Sequence, residues 1–146
     1  MIDKPVVSFQ VPGEPVQAIS AGNIRYSKGR RTQDRQRNYM KMVGWIAKSA
    51  MSNTPIITGA VRLCAVFSVK RPKVHYDSKG RIKAQFVDAP HLVYPDLKNF
   101  VWLIEDAMSK IVYNDDSQII EYPGTRKRYV SQDELPGVSI QVFEVK

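Results

Sequence analysis

Apolar residues recur along this chain with two different periods, and the changes of period mark out its elements. From Val6 to Val11 apolar and polar positions alternate, which predicts a first strand ended by Pro12-Gly13. The next apolar series is helical: Tyr39, Met42, Val43, Ile46, Ala47, Ala50 and Met51 fall on one face. Thr32 is the expected N-cap of that helix, with Asp34 in its first turn where the helix dipole favours a negative charge, and Asn53 and Pro55 close it. Val61 to Lys70 predicts a second strand, and Arg71-Pro72 then opens a long connection to about Tyr94. The second helix has the clearest stripe, formed by Leu97, Phe100, Val101, Ile104, Met108 and Ile111. Asp96 is placed to cap it, and Pro95 holds the chain extended just before. A short strand over Gln118–Glu121, a turn at Pro123-Gly124 and a last alternating strand from Gly137 to Val145 complete the series. Mixed helices and strands, with hairpin-like strands at the end, predict an α+β fold: a small mixed sheet packed with two main helices.

Length adds that residues 1–146 should form a single domain. Charge changes the picture more. Lys and Arg number 22 against 14 Asp and Glu, a formal net charge of +8, which suits a polyanionic partner such as nucleic acid. A solvated basic surface with no partner is the plainer alternative. The positive residues cluster: Arg25, Lys28, Arg30, Arg31, Arg35 and Arg37, with Tyr26 among them and Asp34 as the opposing acid, and again Arg126, Lys127 and Arg128. The 72–94 connection is then either a disordered insertion or a DNA-contacting arm. Cys64, the single cysteine, excludes a disulfide framework and a cysteine zinc site, and is expected to be a buried thiol. His75 and His91 lie in the long connection and give little support to a histidine zinc site. With no apolar signal segment and no run near the ~20 apolar residues of a membrane span, the expected location is the cytoplasm, away from membranes.

Carboxylates within so basic a chain are the candidate chemistry. Asp96 begins the second helix, and Asn114-Asp115-Asp116-Ser117 follows its end. Each has a plain structural reading, as a helix cap and as an Asx turn. Together they offer the hard oxygen ligands that magnesium takes, usually one or two carboxylates plus water and substrate phosphate.

The segments Pro95-Asp96-Leu97-x-Asn99-Phe100, Glu105-Asp106-Ala107-Met108 and Tyr113-Asn114-Asp115-Asp116-Ser117-Gln118-Ile119 resemble the signature of the RusA family of Holliday-junction resolvases. Phe9-Gln10-Val11-Pro12-Gly13-Glu14-Pro15-Val16, Phe67-Ser68-Val69-Lys70-Arg71-Pro72-Lys73 and Lys127-Arg128-Tyr129 are also similar to it. The resemblance implies a RusA-like fold and a small homodimeric endonuclease, common in phages and prophages. Such an enzyme nicks four-way DNA junctions symmetrically with magnesium, or with manganese in its place. It implies Asp96 and Asp116 as catalytic metal ligands, with the neighbouring acid Asp115 also a metal ligand, and the expectation is that Asp96 and Asp116 converge on one ion. The basic residues named above, with Lys98, are the expected DNA contacts.

Two positions depart from the pattern. Lys98 stands where the family has its second helix-start aspartate, and Trp102 stands where some members have a functional lysine. An ammonium at Lys98 removes a ligand and repels the metal, unless its long stem swings out to a phosphate. Glu105 and Asp106 are not expected to replace the lost acid, because Asp106 lies roughly 15 Å along the helix from Asp96. Trp102 is expected to pack on the sheet as core, with a dimer interface as the alternative. A non-catalytic binder of branched DNA remains open beside the nuclease, as does a basic scaffold protein.

Overall fold

A computed structural model describes residues 4–18 and 30–146. Arg25, Tyr26 and Lys28 lie outside the described residues, and of Arg30 only the backbone is described. The element order is β1 (Val7–Pro12), α1 (Arg30–Met51), β2 (Val61–Val69), α2 (Leu97–Met108), β3 (Ile119–Glu121), β4 (Arg126–Tyr129) and β5 (Gly137–Glu144). This is the expected α+β architecture of a mixed sheet with two main helices. Helix α1 begins at Arg30, earlier than expected, so Thr32 is not its cap and Asp34 is beyond its first turn. The chain stays helical through the basic stretch because Arg and Gln are good helix formers and no proline interrupts them. Ala50, assigned to the apolar face, is exposed.

The sheet runs β1-β5-β2 with antiparallel pairs, and β3 and β4 both join the outer edge of β2 in parallel. The final strands are therefore not hairpin-like, and Arg126–Tyr129, which read as a basic cluster, is a strand. Strand β3 pairs at Val61 and Arg62, and β4 pairs from Val66 to Val69. Between them residues 122–125 leave the edge. The gap this opens in the ladder is closed by Thr125: its hydroxyl donates to the Leu63 carbonyl at 3.0 Å and accepts from the Ala65 amide at 3.2 Å. Both β2 groups thus keep partners, as buried backbone groups must. Gly124, at φ +65°, makes the turn.

One face of the sheet is covered. Val61, Leu63, Ala65, Phe67 and Val69 alternate inward from β2 and meet Val138, Ile140 and Val142 of β5. Phe100 of α2 stacks on Phe67, with ring centroids 5.0 Å apart. At Gly44 of α1 a Cβ would come within 3.3 Å of Ile111 Cδ1 and 3.4 Å of the Ala107 carbonyl, so glycine lets the helices approach closely there. Among the described residues no helix covers the other face, and Cys64 lies half-buried on it, not in the core.

The 72–94 connection is ordered, contrary to the disordered reading. Short 3₁₀ turns at Lys73–His75 and Ala84–Phe86 and a bridge between Tyr76 and Ile82 fold it back on itself. Its anchor is the buried guanidinium of Arg71. Nε donates to the Val130 carbonyl at 2.6 Å, Nη1 to Phe86 at 2.6 Å and Nη2 to Val87 at 3.0 Å. His75 stacks on Phe86 at 4.4 Å, and both His75 and His91 meet the edge of Tyr129. Both histidines therefore serve packing. Removing Arg71 leaves the buried Val130 carbonyl unpaired and takes a donor from the part-buried Phe86 and Val87 carbonyls, so Arg71→Ala should cost about 3 kcal/mol in urea unfolding. It should also speed tryptic cleavage at Lys73, Lys79, Arg81 and Lys83.

Candidate active site

Helix α2 carries acidic groups at both ends, and its outward face carries a cleft between them. Asp96 is the N-cap residue, and its carbonyl accepts from the Asn99 and Phe100 amides at 3.1 and 3.3 Å. Its side chain makes no capping hydrogen bond. The carboxylate is exposed and left available for other work. The approach to Asp96 is fixed by Lys127, whose Nζ donates to the carbonyls of Val93 and Pro95 at 2.9 Å each.

At the far end the turn 114–118 is held by its own side chains. Asp115 accepts from the Ser117 amide at 3.0 Å, and the Ser117 hydroxyl first and that amide second hold its carboxyl below the usual range. Gln118 Oε1 accepts from Asn114 and Asp115 at 2.7 and 2.9 Å, while its Nε2 donates to the Ile57 and Gly59 carbonyls. Gln118 thereby ties the turn to the segment leading into β2. The sequence reading missed this role, although Asn-Asp-Asp-Ser-Gln is the spacing of a capping box.

Asp116 is half-buried, and its carboxylate has no hydrogen-bond or ion-pair partner among the described residues. Its charge acts on Glu105 and Asp106 of the last helical turns. Glu105 is 7% exposed and accepts a short hydrogen bond from the Tyr122 hydroxyl at Oε1. Burial pushes its carboxyl above the usual range; the Tyr122 bond works against that, and Asp116 and Asp106 add to it. Burial and Asp116 likewise raise Asp106.

The structure thus brings Asp116 to Glu105 and Asp106, and leaves Asp96 at the opposite end of α2. About 15 Å of helix axis separates Asp96 from Asp106. Asp116 follows in the turn beyond the end of α2, where Asp115 and Gln118 hold it. Among the described residues no three His, Cys, Asp or Glu side chains group into a metal site. The donor chemistry does fit magnesium: two carboxylates, Asp96 and Asp116, have hard oxygens that no hydrogen bond or ion pair from the described residues occupies.

The basic residues have different surroundings. Arg31 and Arg35 are exposed along a cleft with Asp34, Asn38 and Glu14, and Arg37 pairs with Asp34 at 3.4 Å. Lys98 is exposed beside Trp102. Arg126 is exposed and donates to the Gly124 carbonyl at 3.3 Å. Lys127 is engaged as described, and Arg128 bonds Ser68, Ser131 and Glu134. Trp102 is 44% exposed and is not core. No helix among the described residues is long and apolar enough to cross a membrane.

The family model described as endodeoxyribonuclease RusA matches residues 12–143. A protein of Bacillus subtilis (strain 168), described as uncharacterized protein YqaN, is 29% identical over 141 residues, covering 95% of this chain and 96% of that one.

Glu105 supplies a pH test. Its raised carboxyl holds a proton more tightly folded than unfolded, so the stability it contributes is present below about pH 4.5 and is lost as pH rises through the folded value. Glu105→Gln keeps an acceptor for Tyr122 without the buried charge. It should unfold at higher urea than the parent at pH 7, with the gain shrinking towards pH 4.

Proposed function

Since this chain belongs to the RusA endodeoxyribonuclease family, we propose that it resolves four-way DNA junctions by paired symmetric nicks, as a magnesium-dependent homodimer with manganese as a substitute. The family match over residues 12–143 carries this reading. The carboxylates of Asp96 and Asp116, which make no hydrogen bond or ion pair among the described residues and lie at the two ends of α2, support it. They flank α2, Asp96 before its start and Asp116 after its end. In this reading an ion that needs both takes Asp96 from one copy and Asp116 from its partner, and a symmetric dimer would have two such sites for two matching cuts. A divalent ion held there would lower the pKa of its bound water and neutralise charge on the phosphate in the transition state. Asp115 serves the site from behind, by fixing the turn that presents Asp116.

Arg25, Lys28, Arg30, Arg31, Arg35, Lys98 and Arg126 are the proposed phosphate contacts, which position the DNA without reading its sequence. Arg37 contributes through the same face. Lys127 and Arg128 act mainly from inside the fold, holding the Asp96 approach and the 131–134 turn. Lys98, an exposed ammonium at a family carboxylate position, favours a second reading: a branched-DNA binder that has lost tight metal binding.

Mixing separates a shared site from one built within a chain. Asp96→Asn and Asp116→Asn should each lower junction nicking by at least about 100-fold, as loss of an essential catalytic group does. Remixed after partial unfolding, the two should regain single nicks, because each heterodimer has one intact pair. No recovery would place both ligands in one chain or elsewhere.

Lys98 has its own test. Lys98→Asp should increase magnesium-dependent nicking, by restoring an anionic ligand and removing a repelling charge. A parent already fully active, with no gain from the change, would show that the missing carboxylate is not needed.

A further inference from the structure

The outward face of α2 and residues 122–125 enclose a cleft of about 510 Å³, within the range of small-ligand sites. Leu97, Val101, Trp102 and Tyr122 form its walls, Glu105 its floor and Lys98 its rim, with Thr125 closing one side. Three properties of these side chains point to the same ligand. The aromatic groups are left uncovered, Trp102 at 44% and Tyr122 at 47% exposure. The Glu105 carboxylate is buried beneath them. Oε1 is taken by Tyr122, while Oε2 accepts no hydrogen bond from the described residues. Lys98, at i−7 from Glu105 and so on the same face two turns away, is exposed with no ion-pair partner among the described residues.

Flat apolar walls, a carboxylate acceptor within and an ammonium outside correspond to the parts of a nucleotide: a base face, its N–H edge and its phosphate. We propose that this cleft takes one unpaired nucleotide of the branched DNA, its base against Trp102 and Tyr122 and its phosphate on Lys98. The inference rests on the junction-binding reading and deepens it. Bases at the branch point have lost a stacking neighbour, so they leave the helix at lower cost than bases within an arm. Every base has a face that can stack on an aromatic side chain, so the Trp102 and Tyr122 contact is tolerant of sequence. The free oxygen of Glu105 adds a preference for bases with an exocyclic amino group, since a carboxylate accepts from N–H and repels a carbonyl. The cleft also accounts for residues 122–125 leaving the sheet edge. Continuous pairing along β2 would hold Tyr122 in the ladder, and the departure sets it over α2. Another protein surface fits less well, because apolar cover would shut in the Glu105 carboxylate without a second donor.

The test uses the full chain with Trp45→Phe, a change on the exposed face of α1 that leaves Trp102 as the sole tryptophan. In EDTA, so that nothing is cut, a synthetic four-way junction should quench Trp102 emission and a linear duplex should not. Trp102→Ala should weaken junction binding roughly five- to 100-fold, the range for loss of one base–aromatic stack. Tyr122→Leu should weaken it less, Trp102→Phe should retain most of it, and sedimentation should show the same oligomer throughout. Unchanged junction affinity in Trp102→Ala and Tyr122→Leu, with the parent still preferring junction to duplex, overturns the subsite and leaves the junction reading standing. A shift from dimer to monomer in Trp102→Ala also overturns it, by showing that a second copy covers the cleft. A parent that binds duplex as tightly as junction removes both readings.

Discussion

The stack of Phe100 on Phe67 fixes the position of α2 against the middle of the sheet, and the candidate site depends on that placement. Both rings are fully buried, so the contact combines a large apolar area with a specific offset geometry. With α2 held there, its amino end falls beside the loop that Lys127 secures, and its carboxyl end falls beside the turn that Gln118 secures. A sheet of short, irregular edge strands would not by itself set the distance between those ends. The helix acts as a ruler, and its length sets Asp96 apart from the acids of its last turns, Glu105 and Asp106.

Much of the fold was legible because it is written in local periods. The stripe of α2 and the alternation of β1, β2 and β5 appear in the structure within a residue or so of where the sequence places them. Strand β4 was not legible, because Arg-Lys-Arg-Tyr has no apolar alternation; it forms only because β2 offers a free edge. The order within 72–94 was hidden for a similar reason. Much of it comes from side chains distant in sequence, Arg71 reaching the Val130 carbonyl 59 residues away and Gln132 holding the Ile82 amide and the Gly80 carbonyl, and no local pattern announces such contacts.

The site was legible in part. Residue type and spacing pointed to the acids at each end of α2, but spacing along a helix could not show what lies across from it. Glu105 lies too far along the helix from Asp96 to replace the missing acid. Its burial comes instead from Tyr122, 17 residues later, which returns over the helix from the sheet edge. Trp102 was assigned to the core because it lies beside the apolar stripe; the same edge departure leaves it facing a cleft. Basic residues posed the opposite difficulty. Net charge counts Lys127 and Arg128 as DNA contacts, yet both are engaged with carbonyls, hydroxyls and a carboxylate of their own chain.

The interrupted edge beyond β2 has another effect, on what the sheet can join. An outer strand with a continuous row of free amides and carbonyls is a template for another strand, from a partner or from an aggregating neighbour. Here that row is broken into pieces of three and four residues, separated by a turn containing Pro123, and the second piece reads Arg-Lys-Arg-Tyr. Neither piece is long enough to guide a foreign strand into register, and the charges on the second oppose a like copy. This border of the molecule is closed to growth by strand addition, so two copies that associate must meet through side chains and not by extending the sheet here.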